Sequence, residues 1–157
     1  MTGTQGARPI LVVEDSDDDY ETTFRGLTRA GVLNMDIRRC EDGQEALDYL
    51  FRRGVYRDKE LSPRPGFILL DLNLPGKDGR AVAREVKSDP SLSKIPLIIL
   101  TTSDDERDIE ECYALGANSY VRKPVKLESF FDALERIKDY WFEVVILPKG
   151  QDGDDSD

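Results

Sequence analysis

Three carboxylates, a hydroxyl and an ammonium stand directly after apolar runs in this sequence. "ILVV" (10–13) runs into Glu14 and Asp15, and "FILL" (67–70) runs into Asp71. "LIIL" (97–100) is followed by Thr101, and "SYV" (119–121) by Arg122, Lys123 and Pro124. Three crowded acids repel one another, and one of them must take a raised pKa unless a cation intervenes. An oxygen-only set of this kind suits a hard divalent ion that keeps several waters, Mg²⁺ above all. Asp15 and Asp71 are the expected side-chain ligands. Asn73 can add its backbone carbonyl, because Pro75-Gly76 turns the chain back over the site. A carboxylate is also a weak nucleophile able to form an acyl phosphate. Mg²⁺ and the Lys123 ammonium would neutralise a transferred phosphoryl group, and Thr101 can donate a hydrogen bond to it.

Taken singly, each residue has an ordinary structural use. Glu14-Asp15 before a helix complements the helix dipole, and Asp71 before a turn is a turn former. Thr101 suits a strand end, and Lys123 a surface. Their joint placement after successive strands argues for a shared site.

Alternating elements are needed to bring these positions together. After "ILVV" a helix pattern starts at Ser16, carries Tyr20, Phe24 and Leu27 on one face, and stops at Gly31. "MDIRRC" (35–40) alternates as an edge strand does. "GQEALDYLFRRG" (43–54) reads as a helix closed by Gly54, and "GRAVAREVK" (79–87) as a short helix. Residues 104–115 form a fourth helix closed by Gly116, and a last helix starts at Leu127. The stretch 55–65 reads as a surface loop. Five β-then-α units predict a parallel sheet covered on both faces, with right-handed crossovers. In such a sheet the residues after the strands share the carboxyl edge, where sites form at the switch in strand order.

Composition narrows the rest. The 157 residues fit one domain, and 39% hydrophobic content is that of a globular chain. No apolar run approaches the roughly 20 residues of a membrane span, and the stretch "MTGTQGARP" lacks the charged-then-apolar design expected of a signal peptide. Cys40 and Cys112, far apart, read as free thiols of a reducing cytoplasm. A net charge of −10 argues against nucleic acid as a partner. The absence of histidine excludes Ser-His-Asp and Cys-His triads and His-based zinc sites within this chain.

The motifs "ILVVEDSDDD", "ILLDLNLPGKDG", "LIILTTSD" and "SYVRKPV" together resemble the receiver domain of two-component response regulators, over roughly residues 8–140. The resemblance implies a flavodoxin-like, doubly wound (βα)5 fold with a five-stranded parallel sheet in the order 2-1-3-4-5. It implies Asp71 as phosphoacceptor, Glu14, Asp15, Asp71 and Asn73 around Mg²⁺, Thr101 as switch hydroxyl, Lys123 as phosphate-binding lysine and Tyr120 as aromatic switch. A cis bond before Pro124 is implied too. The phosphoryl donor would be a separate histidine kinase, and phosphorylation would alter the surface of the fourth helix, fifth strand and fifth helix. The expected role is signalling, with the receiver catalysing only its own phosphorylation and dephosphorylation. With no output domain after the receiver, a stand-alone regulator is expected.

Two other functions fit parts of the pattern. A phosphatase of the haloacid dehalogenase type needs an aspartate two residues after its nucleophile, where this chain has Asn73. A phosphate-independent binding module would have no use for a complete acidic site.

The expected domain runs over 8–147, followed by a disordered acidic tail over 148–157. The last helix is expected to continue through "DYWFEVVILP", keeping Leu127, Phe130, Leu134, Ile137, Trp141 and Val145 in helical register. So much apolar surface beyond a small core suggests a homodimer contact carried by Trp141, Phe142 and Val145. This ending, "LTTS" and the long loop before the third strand resemble response regulators that partner bacterial phytochrome kinases.

Overall fold

The computed structural model describes residues 8–148, so the expected acidic tail lies outside them apart from Pro148. Five parallel strands, β1 (Ile10–Val13), β2 (Ile37–Cys40), β3 (Phe67–Leu70), β4 (Leu97–Thr101) and β5 (Ser119–Arg122), form one sheet in the order β2-β1-β3-β4-β5. Five α-helices alternate with them: α1 (Asp17–Arg29), α2 (Gly43–Phe51), α3 (Gly79–Ser88), α4 (Glu106–Leu115) and α5 (Leu127–Asp139). The fold is the doubly wound (βα)5 arrangement expected from the motif order.

The central strands are short and apolar because both of their faces are covered. Ile10, Val12, Phe67, Leu69, Ile98 and Leu100 pack with Leu27 of α1 and with Phe130 and Leu134 of α5. The alternate residues Leu11, Val13, Ile68, Leu70, Leu97 and Ile99 pack with α2, α3 and Cys112 of α4. Strand period therefore divides one sheet between two cores. Cys40 and Cys112 are buried, free thiols.

Helix starts follow local chemistry. Ser16, Asp42, Asp78 and Asp105 each accept a backbone N–H in the first turn of α1, α2, α3 and α4, which satisfies a donor the helix cannot. Asp17, Asp18 and Asp19 add negative charge at the positive end of α1. Gly116 closes α4 in the left-handed region, at φ 108°.

Three expectations need correction. First, α2 ends three residues before Gly54, with Arg52 itself left-handed at φ 57°. The Arg52 guanidinium then bonds the Ser62 carbonyl at 3.0 Å. That contact helps to pin the stretch 55–65, the expected surface loop, most of which is exposed. Within it Ser62 is fully buried, Tyr49 Oη donates to the Pro63 carbonyl at 2.6 Å, and residues Gly54–Arg57 make a 3-10 turn. Second, every described peptide bond is trans, including that before Pro124, the form that X-Pro bonds favour by about 0.5–1 kcal/mol. Third, the α-helical register of the last helix stops at Asp139. Tyr140–Val144 widens into a single π-helical turn, and Val145 is already extended.

The π turn directs Phe142 back onto its own domain. Its ring lies 5.0 Å from that of Phe67. A side chain at Gly66 would overlap the Phe142 ring, so the glycine before β3 leaves the space that the aromatic fills. Phe142, expected at a subunit contact, is thus engaged within its own chain, and Trp141 packs beside it at the edge of the same core. Tyr140, Val144 and Ile146 remain 49%, 67% and 98% exposed.

Candidate functional site

Sheet pairing extends one step past the strands and fixes the site. The Glu14 amide donates to the Cys40 carbonyl at 3.0 Å, and that of Asp71 to Val13 at 3.2 Å. The Lys123 amide donates to Thr101 at 2.7 Å. Glu14, Asp71, Thr101 and Lys123 are therefore held by main-chain bonds to a neighbouring strand. β1 lies between β2 and β3, so the chain's direction of winding reverses at β1, and Glu14 and Asp71 sit at that crevice.

Glu14, Asp15 and Asp71 each bring an oxygen into one group, with all three atoms within 4.8 Å of one another. The Lys123 Nζ lies among the acids, 2.8 Å from Glu14 Oε1, 3.5 Å from Asp71 Oδ2 and 3.4 Å from Asp19 Oδ2. Glu14 is 3% exposed. Burial pushes its carboxyl above the ordinary range, although the Lys123 hydrogen bond and charge pull the other way. Burial by itself would lower the Lys123 ammonium. The Glu14 hydrogen bond, with the charges of Asp71, Glu14 and Asp19, more than offsets that and holds it above an ordinary lysine.

The turn after Asp71 is folded by its own side chain. Asp71 Oδ1 accepts the Asn73 amide at 3.3 Å, and the Gly79 amide donates to the Leu72 carbonyl at 3.0 Å. A Cβ at Gly79 would overlap the Asp71 carbonyl and the Leu72 Cα, so only glycine lets α3 begin against the backbone of the acidic residue. This is the local reason for "DG" at residues 78 and 79.

Thr101 ends β4, with its Oγ1 fully buried and without a hydrogen-bond partner among the described residues. Such an orphan costs about 1–3 kcal/mol, which a ligand oxygen would recover. Tyr120 is on β5, and its hydroxyl donates to the Ser103 carbonyl at 2.9 Å, linking that strand to the β4–α4 loop.

All the residues singled out at the strand ends are thus at one edge of the sheet. Sequence reasoning missed three that belong with them. Asp19, four residues past Asp15, is a third acid on Lys123. Arg39 on β2 donates to the Glu14 carbonyl at 3.1 Å, pairs with Asp17 at 2.9 Å and lies over the Tyr20 ring. Arg80, just inside α3, pairs with Asp108 of α4. The acidic run at 17–19 was a usable signal for the first. Nothing in the sequence pairs the other two, because their partners come from separate units.

A sheet with this order and a carboxylate–lysine cluster at its switch point define a receiver-type α/β module. The chain belongs to the response regulator receiver domain family, whose model matches residues 10–147. It is 41% identical to response regulator Rcp1 of Synechocystis over 139 residues, spanning 88% of this chain and 92% of that one. Among solved structures, the phosphorylated cyanobacterial phytochrome response regulator RcpA is 39% identical, with a TM-score of 0.84. The alignment covers 90% of this chain and 99% of that one. The Mn²⁺-bound form of Rcp1 is 40% identical with a TM-score of 0.81, again covering 90% and 99%. Among the described residues no helix is long and apolar enough to cross a membrane.

Proposed function

We propose that this response regulator is switched by phosphorylation of Asp71 from the phosphohistidine of a histidine kinase acting in trans. The observation that carries the reading is the cluster of three carboxylate oxygens within 4.8 Å, from Glu14, Asp15 and Asp71, with the Lys123 ammonium against two of these acids, Glu14 and Asp71. An Asp71 carboxylate oxygen attacks phosphorus, the new O–P bond forms as the P–N bond to the donor imidazole breaks, and the imidazole takes a proton. Glu14, Asp15 and Asp71, with the Asn73 carbonyl, suit a hard divalent ion, Mg²⁺ in this reading. Bound there, it would supply charge neutralisation to the phosphoryl oxygens. Lys123 moves its ammonium from Glu14 toward the same oxygens, and Thr101 donates its otherwise unpartnered hydroxyl. Tyr120 carries the change to the surface of α4, β5 and α5.

The kinase partner we favour is a bacterial phytochrome, because RcpA is a phytochrome response regulator. We also propose a homodimer through the end of α5 and its extension. Trp141 and Val145 flank the contact, and Tyr140, Val144 and Ile146 offer the exposed apolar surface.

Incubation with acetyl phosphate and Mg²⁺ tests the phosphoryl reading. One phosphoryl group should be added and then lost in mild alkali, and chelation should abolish uptake. Label retained by Asp71→Asn would overturn it.

A further inference from the structure

Ser103 is tied at both its main chain and its side chain. The carbonyl accepts the Tyr120 hydroxyl, and the side-chain hydroxyl donates to Asp108 Oδ2 at 2.7 Å. Asp108 is in turn paired with the guanidinium of Arg80, which also reaches Glu111 at 3.1 Å and Asp78 at 3.8 Å. Arg80 and Asp108 have side chains only 24% and 22% exposed, unlike the solvated pairs that contribute little. Arg80 lies in the first turn of α3, one residue past Gly79, whose amide bonds Leu72 beside Asp71. Asp108 lies in the first turn of α4. The chain of contacts therefore runs from the helix start beside Asp71 to the loop two residues beyond Thr101.

We infer that Arg80 and Asp108 are positioning residues that hold Ser103, and through it the Thr101 hydroxyl, ready for the phosphoryl oxygen. The inference rests on the proposed role of Asp71. Two observations give it its direction. Thr101 Oγ1 is buried without a partner, a state a free loop would relax by turning the hydroxyl to a carbonyl or to water. The loop is not free, because Ser103 is fastened to α4 and β5. Preset in this way, the site avoids ordering the loop when the anion arrives. The Ser103 hydroxyl and the Arg80 guanidinium also hold the Asp108 carboxyl below its usual range, so the anchor stays charged.

A purely local role must be separated from this one. Ser103 also accepts the Asp105 amide at 3.3 Å, so it helps to start α4. A cap of that kind governs helix stability and has no reason to discriminate between ligands at the acidic site. The discriminating measurement is calorimetric titration with Mg²⁺ alone, then with fluoroberyllate, a phosphoryl mimic that caps carboxylates, at saturating Mg²⁺. Wild type, Arg80→Ala, Asp108→Asn and Ser103→Ala are compared. Each variant should weaken fluoroberyllate binding by about tenfold or more, the loss of roughly one hydrogen bond to a charged group, and leave the Mg²⁺ affinity unchanged. Arg80→Ala with Asp108→Asn should cost no more than the larger single change, since the two act in series.

Unchanged or tighter anion binding would overturn the inference, as would additive losses or a parallel loss of Mg²⁺ affinity. Ser103→Ala leaves the Arg80–Asp108 pair intact and decides the question if the charge variants do not fold. Wild-type protein that binds Mg²⁺ but not fluoroberyllate would take the Asp71 reading down as well. Wild-type binding matched by all the variants removes the positioning role alone.

Discussion

The acidic edge of the sheet and the extension after α5 solve opposite problems. At the edge, the carboxylates of Glu14 and Asp71 are buried, their main chains are bonded to neighbouring strands, and both carboxylates lie against Lys123. In the extension, apolar groups reach the surface, and one ring, Phe142, finds a place under Gly66 and Phe67 while Tyr140, Val144 and Ile146 do not. The edge holds charge against its own repulsion for use by a ligand. The extension divides its apolar side chains between intrachain packing and an open face. The difference predicts that changes at the edge act on ligand binding and metal-dependent stability, and changes in the extension on packing and association.

Lys123→Ala should have the largest effect. It leaves Glu14 and Asp71 buried without their cation, a change expected to cost about 3–5 kcal/mol in metal-free protein. Urea unfolding with and without Mg²⁺ measures it, and Mg²⁺ should recover much of the loss. Equal destabilisation in both conditions would mean that Lys123 and the metal do not answer the same repulsion.

Phe142→Ala comes next, at about 2 kcal/mol, below the roughly 3–5 kcal/mol of a fully enclosed phenylalanine because this ring is half-buried. Phosphoryl uptake by the variant should match wild type in an acetyl phosphate assay. A change in uptake would join the two regions that the comparison separates.

Tyr140→Ser combined with Ile146→Ser should leave the unfolding free energy within about 0.5 kcal/mol, as surface changes do, while lowering the sedimentation coefficient at micromolar concentration. A wild-type monomer at that concentration would remove the homodimer.

The smallest effect concerns acid. Asp108 is held below its ordinary pKa of 3.8 by the Ser103 hydroxyl and Arg80. A depressed carboxyl contributes stability that is complete above the unfolded value and fades as pH falls through the lower folded one. Asp108→Asn should therefore flatten the acid limb below about pH 4. Thermal melts from pH 5 to pH 2 check this, and an unchanged limb would show that the pair with Arg80 carries no differential protonation.

Much of the fold was legible because burial on both faces writes itself as short apolar runs, and alternation with helices leaves parallel strands as the arrangement that fits. Glu14, Asp15, Asp71, Thr101 and Lys123 could be read as one site because the ends of parallel strands must lie on one edge. The helix start at Ser16 was equally local, since a helix start needs an acceptor within three residues. The end of α2 was misread because Gly54 offered a cheap stop, whereas Arg52 adopts the left-handed conformation and bonds to Ser62, a partner ten residues away. The extension was misread for a related reason. Helical spacing continues through Val145 in the sequence, but the fit of Phe142 against Gly66 and Phe67 accompanies a wider turn that ends the register. Arg80 and Asp108 belong to different βα units, and only the packing of α3 beside α4 makes them neighbours. What the sequence determined by itself was whatever depends on periodicity, strand order and groups a few residues apart. What the tertiary structure decided was which side chains from distant units meet, because those contacts depend on shapes and distances that no spacing along the chain encodes.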